Sequence, residues 1–248
     1  MCRVRPTRVA RPSREFRWRL AAMACMLRDA RSLRTPHPPF MPHLDVDAIG
    51  HRFGRLVLFR QLSFSLDGGH SLAITGANGS GKSTLLRILA GVLTPTRGTV
   101  TLTVGGQAVP REERPLQTGL VAPYVNVYDG LSARENLAFL AEARQLAGAD
   151  DRIAAALDRV GLAGRADDLV GTYSSGMKQR VKYAAAGLTE PPLLLLDEPS
   201  ANLDAAGLDM VDAVMAHQRA ADALLVVATN VAAEADRCDR ALCVEDYR

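Results

Sequence analysis

The stretch 76-GANGSGKST-84 sets glycines, a lysine and hydroxyls where a chain of phosphates could lie. It fits G-x-x-x-x-G-K-[ST] at Gly76, Gly81, Lys82 and Ser83. Glycines let backbone N–H groups turn inward around phosphate oxygens, where a Cβ would obstruct them. Lys82 brings a positive charge to the β- and γ-phosphates, and Ser83 offers a hydroxyl to Mg²⁺. Asn78, Gly79 and Thr84 complete the set expected to contact the nucleotide. Further along, 193-LLLLDEPS-200 is an apolar run that ends in two adjacent carboxylates. Asp197 is placed to hold Mg²⁺ through water, and Glu198 to polarise an attacking water as general base. Two acids at the tip of a leucine run are poor core material, because a buried unpaired carboxylate is costly. The chemistry these residues imply is cleavage of a nucleoside triphosphate.

Such groups need rigid elements behind them. Ser71–Thr75 (SLAIT) reads as a short apolar strand leading into the glycine-rich loop. Leu85, Leu86, Leu89 and Val92 follow at helical spacing, so the N-terminus of that helix faces the phosphates. Leu193–Asp197 reads as the strand carrying the two acids, and Leu224–Ala228 as another, with Thr229-Asn230 at its tip. Gly119–Ala122 is a further expected strand. Upstream, Leu44, Val46 and Ala48 alternate with Asp45 and Asp47 as a half-buried strand. Leu56–Leu66 is a second extended segment, closed by turn residues at Asp67-Gly68-Gly69. Alanines 154–156 and 184–186 read as helix filler, and Asp209, Asp212, Glu234 and Asp236 as a solvated face.

The 248 residues suffice for one large domain or two tightly joined subdomains. No run approaches the roughly 18 apolar residues of a membrane-spanning helix, so any span belongs to another chain. The formal charge of +3 conceals an asymmetry. Residues 1–40 hold ten Arg against Glu15 and Asp29, a net +8, which leaves −5 for the rest. The folded part therefore carries no nucleic-acid footprint, and no nucleic-acid partner is expected. The TPHPP run at Thr35–Pro39 marks a boundary, and Met41 follows it directly. Residues 1–40 read as an over-extended start or a disordered arm. A basic amphipathic helix over Arg14–Leu33 and an organellar transit peptide are the competing readings. Cys2, Cys25, Cys238 and Cys243 form no disulfide framework, which fits a reducing cytosol, and the five histidines, His217 among them, lack ligand spacing.

The stretch 173-YSSGMKQR-180 lies between the glycine-rich loop and the acids. With it, the chain resembles the ATP-binding cassette (ABC) ATPases. Tyr173-Ser174-Ser175-Gly176-Met177 is similar to the family's L-S-G-G-Q signature, and Ser200–Asp204 to its D-loop. The resemblance covers nearly all of residues 44–243 and implies an α/β fold. That fold has a P-loop NTPase core, an N-terminal antiparallel β-subdomain and an inserted α-helical subdomain at roughly 125–190, within one cassette spanning 41–248. It implies ATP and Mg²⁺ as cofactors, and adenine stacking by Phe53. Ser174 and Gly176 would meet the γ-phosphate of ATP held by a partner cassette, and Asp204 would lie at that seam. It further implies a second cassette, identical or paralogous, and a transmembrane permease. The chain would sit in the cytoplasm, peripheral on the inner face of the plasma membrane. The wording of LSARENL and SSGMKQR is similar to small exporters of the haem-exporter and ABC-2 types. A non-transport ABC ATPase acting on ribosomes or DNA, and a regulatory cassette that binds ATP with little turnover, are the alternatives.

Two positions depart from the family. Anchored on LSARENL, Pro123 falls where a glutamine normally touches Mg²⁺ and water, with Tyr124 next. Proline lacks both a side-chain amide and an N–H. Gln117 lies too early, and no glutamine occurs in 118–144. Asn230 stands where the family has a histidine that bonds the γ-phosphate and orients Glu198. Asn can donate to a phosphate oxygen but carries no charge. The loss is about 1–2 kcal/mol, against the 10²–10⁴-fold typical of removing a general base. Active hydrolysis is the expectation.

Overall fold

The computed structural model describes residues 41–248. The expected leader, residues 1–40, lies outside the described residues. Strands β1 (His43–Phe53), β2 (Leu56–Asp67), β4 (Arg97–Val104) and β5 (Gln107–Val109) form an antiparallel sheet in the order β2-β1-β4-β5. Strands β6 (Thr118–Val121), β7 (Leu193–Asp197), β8 (Leu224–Ala228), β3 (Ser71–Thr75) and β9 (Arg240–Cys243) form a parallel sheet in that spatial order.

Both faces of the parallel sheet are covered, and the period of two along each strand sorts side chains between two cores. Leu193 and Leu195 of β7 and Leu224 and Val226 of β8 pack with the antiparallel sheet and helix α1 (Lys82–Leu89). Leu194, Leu196, Leu225 and Val227 pack on the other side, against helices α2 (Ala133–Ala143), α3 (Ala149–Arg159), α4 (Ser175–Gly187) and α5 (Ala205–Ala220). The leucine run is therefore continuous because both its faces are interior. The helices start where local chemistry dictates. Ser132 and Glu135 form a capping box on α2, Ser174 caps α4 through the Met177 N–H, and Asp204 caps α5 through the Gly207 N–H.

The sequence reading needs correcting at two places here. Ala48 is exposed with φ 45°, and bulges in β1 hand the inward position to Ile49. A bulge inserts one residue and flips the alternation. Val92 does not continue the apolar face of α1. The helix ends at Leu89, Gly91 follows with φ 79°, and Val92 is 61% exposed.

Candidate active site

The carboxyl ends of β3, β7 and β8 converge on the glycine-rich loop. Gly81 caps α1 with φ 110°, and a Cβ there would stand 3.3 Å from the Leu58 Cβ of β2. Only glycine combines that backbone with that contact. At Gly79, with φ 79°, an added Cβ would meet no protein atom within 4 Å, so this part of the loop faces open space. Lys82 is buried, and its Nζ donates to the carbonyls of Gly76 (2.7 Å) and Ala77 (3.2 Å). The ammonium is thus tethered over its own loop.

A cavity of about 280 Å³ collects Phe53, Asn78, Gly79, Gly81, Lys82, Ser83, Thr84 and Glu198. Phe53 is half exposed at its rim and meets His51 edge-on at 4.8 Å. Glu198 follows β7 with φ 51°, a left-handed backbone that its N–H···O=C bond to Ala228 (2.9 Å) holds in place. Such conformations cost about 1–3 kcal/mol and persist only where the surroundings impose them.

Asp197 is 2% exposed, and its Oδ2 has no hydrogen-bond partner. Burial pushes its carboxyl above the usual aspartate range, and the neighbouring Glu198 charge adds to this. The Ser83 hydroxyl, Lys82 and Arg87 pull the other way. A buried carboxylate with a free oxygen beside a hydroxyl is a donor set that suits a hard divalent cation. Among the described residues, no cluster of three or more His, Cys, Asp or Glu could hold a metal alone, so a cation here would also draw on phosphate oxygens.

Asn230 sits at the end of β8, exposed, and its Nδ2 donates to Asn78 Oδ1 at 3.1 Å. It faces the phosphate loop, as its place in the sequence implies. Behind it lies a residue that sequence reasoning misread. Glu234 is not on a solvated face: it is 6% exposed and accepts from the hydroxyls of Ser200 and Thr229. Ser200 opens the segment after Glu198, and Thr229 precedes Asn230, so one carboxylate clasps both flanks of the site. The only signal in the sequence was Thr229 itself, a hydroxyl at the end of an apolar strand that needs a partner when buried.

Ser174, Gly176 and Asp204 are grouped elsewhere. Ser174 and Gly176 open α4, and a Cβ at Gly176 would lie 3.2 Å from the Asn202 carbonyl of the segment 200–204. Arg180 of α4 reaches Asp204 at 3.4 Å. None of the three lines the cavity of Lys82 and Glu198. A larger cavity, about 520 Å³, is walled by Arg159, Glu190 and His217 and includes none of these groups.

Comparison with known proteins agrees with this fold. The family model described as ABC transporter matches residues 59–201. The chain is 40% identical over 197 residues to the cytochrome c biogenesis ATP-binding export protein CcmA of Pseudomonas syringae pv. syringae (strain B728a), covering 77% of this chain and 90% of that protein. It is 34% identical over 207 residues to YdbJ of Bacillus subtilis (strain 168), named as an uncharacterized ABC transporter ATP-binding protein, covering 82% and 67%. A solved structure described as the ATP binding subunit of an ABC transporter superposes with a TM-score of 0.72 at 29% identity, over 81% of this chain and 85% of that one. The chain therefore belongs to the ABC transporter family, as an ATP-binding, ATP-hydrolysing cassette that powers transport through a separate membrane subunit.

Proposed function

We propose that the cavity between Phe53, the glycine-rich loop and Glu198 holds Mg²⁺·ATP, and that Glu198 is the general base of its hydrolysis. The observation that carries this reading is that Glu198 shares one cavity with Lys82 and Ser83, beside the buried Asp197 with its free oxygen. Phe53 stacks on the adenine. The backbone N–H groups from Gly76 to Thr84 hold the phosphates at the N-terminus of α1. Lys82 leaves its loop carbonyls for the β- and γ-phosphates. Ser83 and Asp197 hold the cation, which when bound neutralises charge developing on the phosphate oxygens. Glu198 takes the proton of the attacking water, and Asn230 donates an amide hydrogen to the γ-phosphate.

Ser174, Gly176 and Asp204, displaced from this cavity, serve the nucleotide of a second cassette, and the reverse contact completes this one. Two copies, or this chain and a paralogue, thus sandwich two nucleotides. No helix among the described residues is long and apolar enough to cross a membrane. The likeness to ATP-binding subunits of ABC transporters supports placing the cassette on the cytoplasmic face of a membrane through a permease, which selects the substrate. The likeness to CcmA, named an export protein, supports export as the direction.

Glu198→Gln tests the assignment, because it keeps the shape and removes the base. Phosphate release should fall by about 10²–10⁴-fold while ATP binding persists. Turnover within tenfold of the unchanged protein would remove Glu198 from its role.

A further inference from the structure

Asp197 presents a puzzle. Its Oδ2 is buried and has no partner, and Arg87, on the helix α1 that packs against β7, forms no ion pair with it. We propose that Tyr124 is a positioning residue for the metal side of the site: its ring holds the Arg87 guanidinium away from Asp197 and so keeps that carboxylate free for the cation. The inference rests on the Mg²⁺ reading of Ser83 and Asp197 given above.

Several features of this chain build the arrangement. Val121 of β6 pairs with Leu196 of β7, so the chain leaving β6 emerges beside Asp197 and Glu198. There the Val125 N–H donates to the Ala122 carbonyl at 3.1 Å, closing a turn whose central residues are Pro123 and Tyr124. Proline's fixed φ suits the first of those positions. Pro123 thus supplies no contact of its own, and it aims the next residue. Tyr124 folds over α1, where the Arg87 guanidinium carbon lies 3.9 Å from the ring centroid. That is a cation–π contact, for which guanidinium is well suited. Arg87 stands one helical turn beyond Ser83, on the same face of α1. The phenol feels the same neighbourhood: burial and the Asp197 charge push its pKa up, against the pull of Arg87. Without the ring, Arg87 is free to pair with the orphaned oxygen and compete with the cation.

The test uses the full chain with ATP and titrates Mn²⁺, reading bound metal by electron paramagnetic resonance. Tyr124→Ala should weaken Mn²⁺ binding on the order of tenfold, the scale of one charge-assisted contact. Tyr124→Phe, which keeps the ring, should stay within about threefold. Arg87→Ala combined with Tyr124→Ala should recover most of the loss, since the competing cation is gone. Retention of metal affinity by Tyr124→Ala overturns the proposal, as does a double variant no better than Tyr124→Ala. A Tyr124→Phe variant as weak as Tyr124→Ala overturns it too, because the ring would not be what matters. If the unchanged protein binds no Mn²⁺ with ATP, the metal site itself fails, and the proposal with it.

Discussion

Asn230 is where a quantitative prediction is sharpest. Its amide donates to Asn78 across an exposed 3.1 Å contact between neutral groups. Such a bond contributes about 0.5–1.5 kcal/mol. Turned onto a γ-phosphate oxygen, the same N–H meets a charged acceptor, where a bond is worth about 1.5–3 kcal/mol. The difference, about 1–2 kcal/mol, corresponds to roughly 5–30-fold in rate. Asn230→Ala should therefore slow phosphate release by that factor, well short of the loss expected for Glu198→Gln. Asn230→His, able to carry a charge, should raise turnover by about tenfold. The assay is steady-state phosphate release at saturating Mg²⁺·ATP, with Asn78→Ala alongside to isolate the contact to the loop. Two results would refute the reasoning. A hundredfold or greater gain in Asn230→His would mean that the native site is nearly inactive. An Asn230→Ala rate within twofold of the unchanged protein would mean that Asn230 touches no phosphate.

The orphaned Asp197 oxygen and the Glu234 clasp make two further predictions. Because burial raises the folded Asp197 pKa above its ordinary 3.8, its charge costs nothing below the unfolded pKa. The cost grows as pH rises through the interval up to the folded pKa, and persists beyond it. Asp197→Asn should therefore raise the melting temperature of the protein without nucleotide at neutral pH by about 2–12 °C, the equivalent of about 1–3 kcal/mol, while stopping Mg²⁺-dependent turnover. Thermal melts should show that gain shrinking as pH falls toward 4. Glu234→Ala strips the Ser200 and Thr229 hydroxyls of their acceptor and should cost about 1–3 kcal/mol in chemical denaturation. Its kcat should fall more than its ATP affinity, and Glu234→Gln should restore most of both.

The legible parts of this molecule are those where chemistry restricts residue type. A phosphate loop demands glycines, lysine and a hydroxyl in fixed order, so Gly76–Ser83 could be read without any fold. Leu193–Asp197 and Leu224–Ala228 were readable as strands because a sheet buried on both faces leaves no room for polar alternation. What escaped depended on partners distant in the chain. Glu234 lies in an alanine- and acid-rich stretch that has the composition of a solvated helix, and only its meeting with Ser200 and Thr229 makes it interior. The bulge at Ala48 depends on the register between β1 and its neighbours, which no local pattern encodes. The use of Tyr124 was equally hidden: Pro123 read as a missing amide, whereas the turn it makes and the Arg87 under that turn emerge only when β6 and α1 are packed together.

The positions of the two departures carry an argument of their own. In the parallel sheet β7 lies between β6 and β8, so Glu198 is flanked by the end of β6 with Pro123-Tyr124 and by the end of β8 with Asn230. Both flanks differ from the family pattern, while the tip of β7 and the loop after β3 keep it. On the proposed reading, Lys82, Ser83, Asp197 and Glu198 do the bond-breaking work, and loss of the base alone would cost about 10²–10⁴-fold, whereas the altered positions would change rates by about tenfold. Decay without selection would strike both sets alike. The pattern instead fits a cassette whose bond-breaking groups are constrained and whose flanking contacts are free to reset how tightly nucleotide and metal are read. Glu234 supports this on the β8 side, because a buried carboxylate that ties Ser200 to Thr229 holds the end of β8 against the segment after Glu198 whatever side chain stands at position 230.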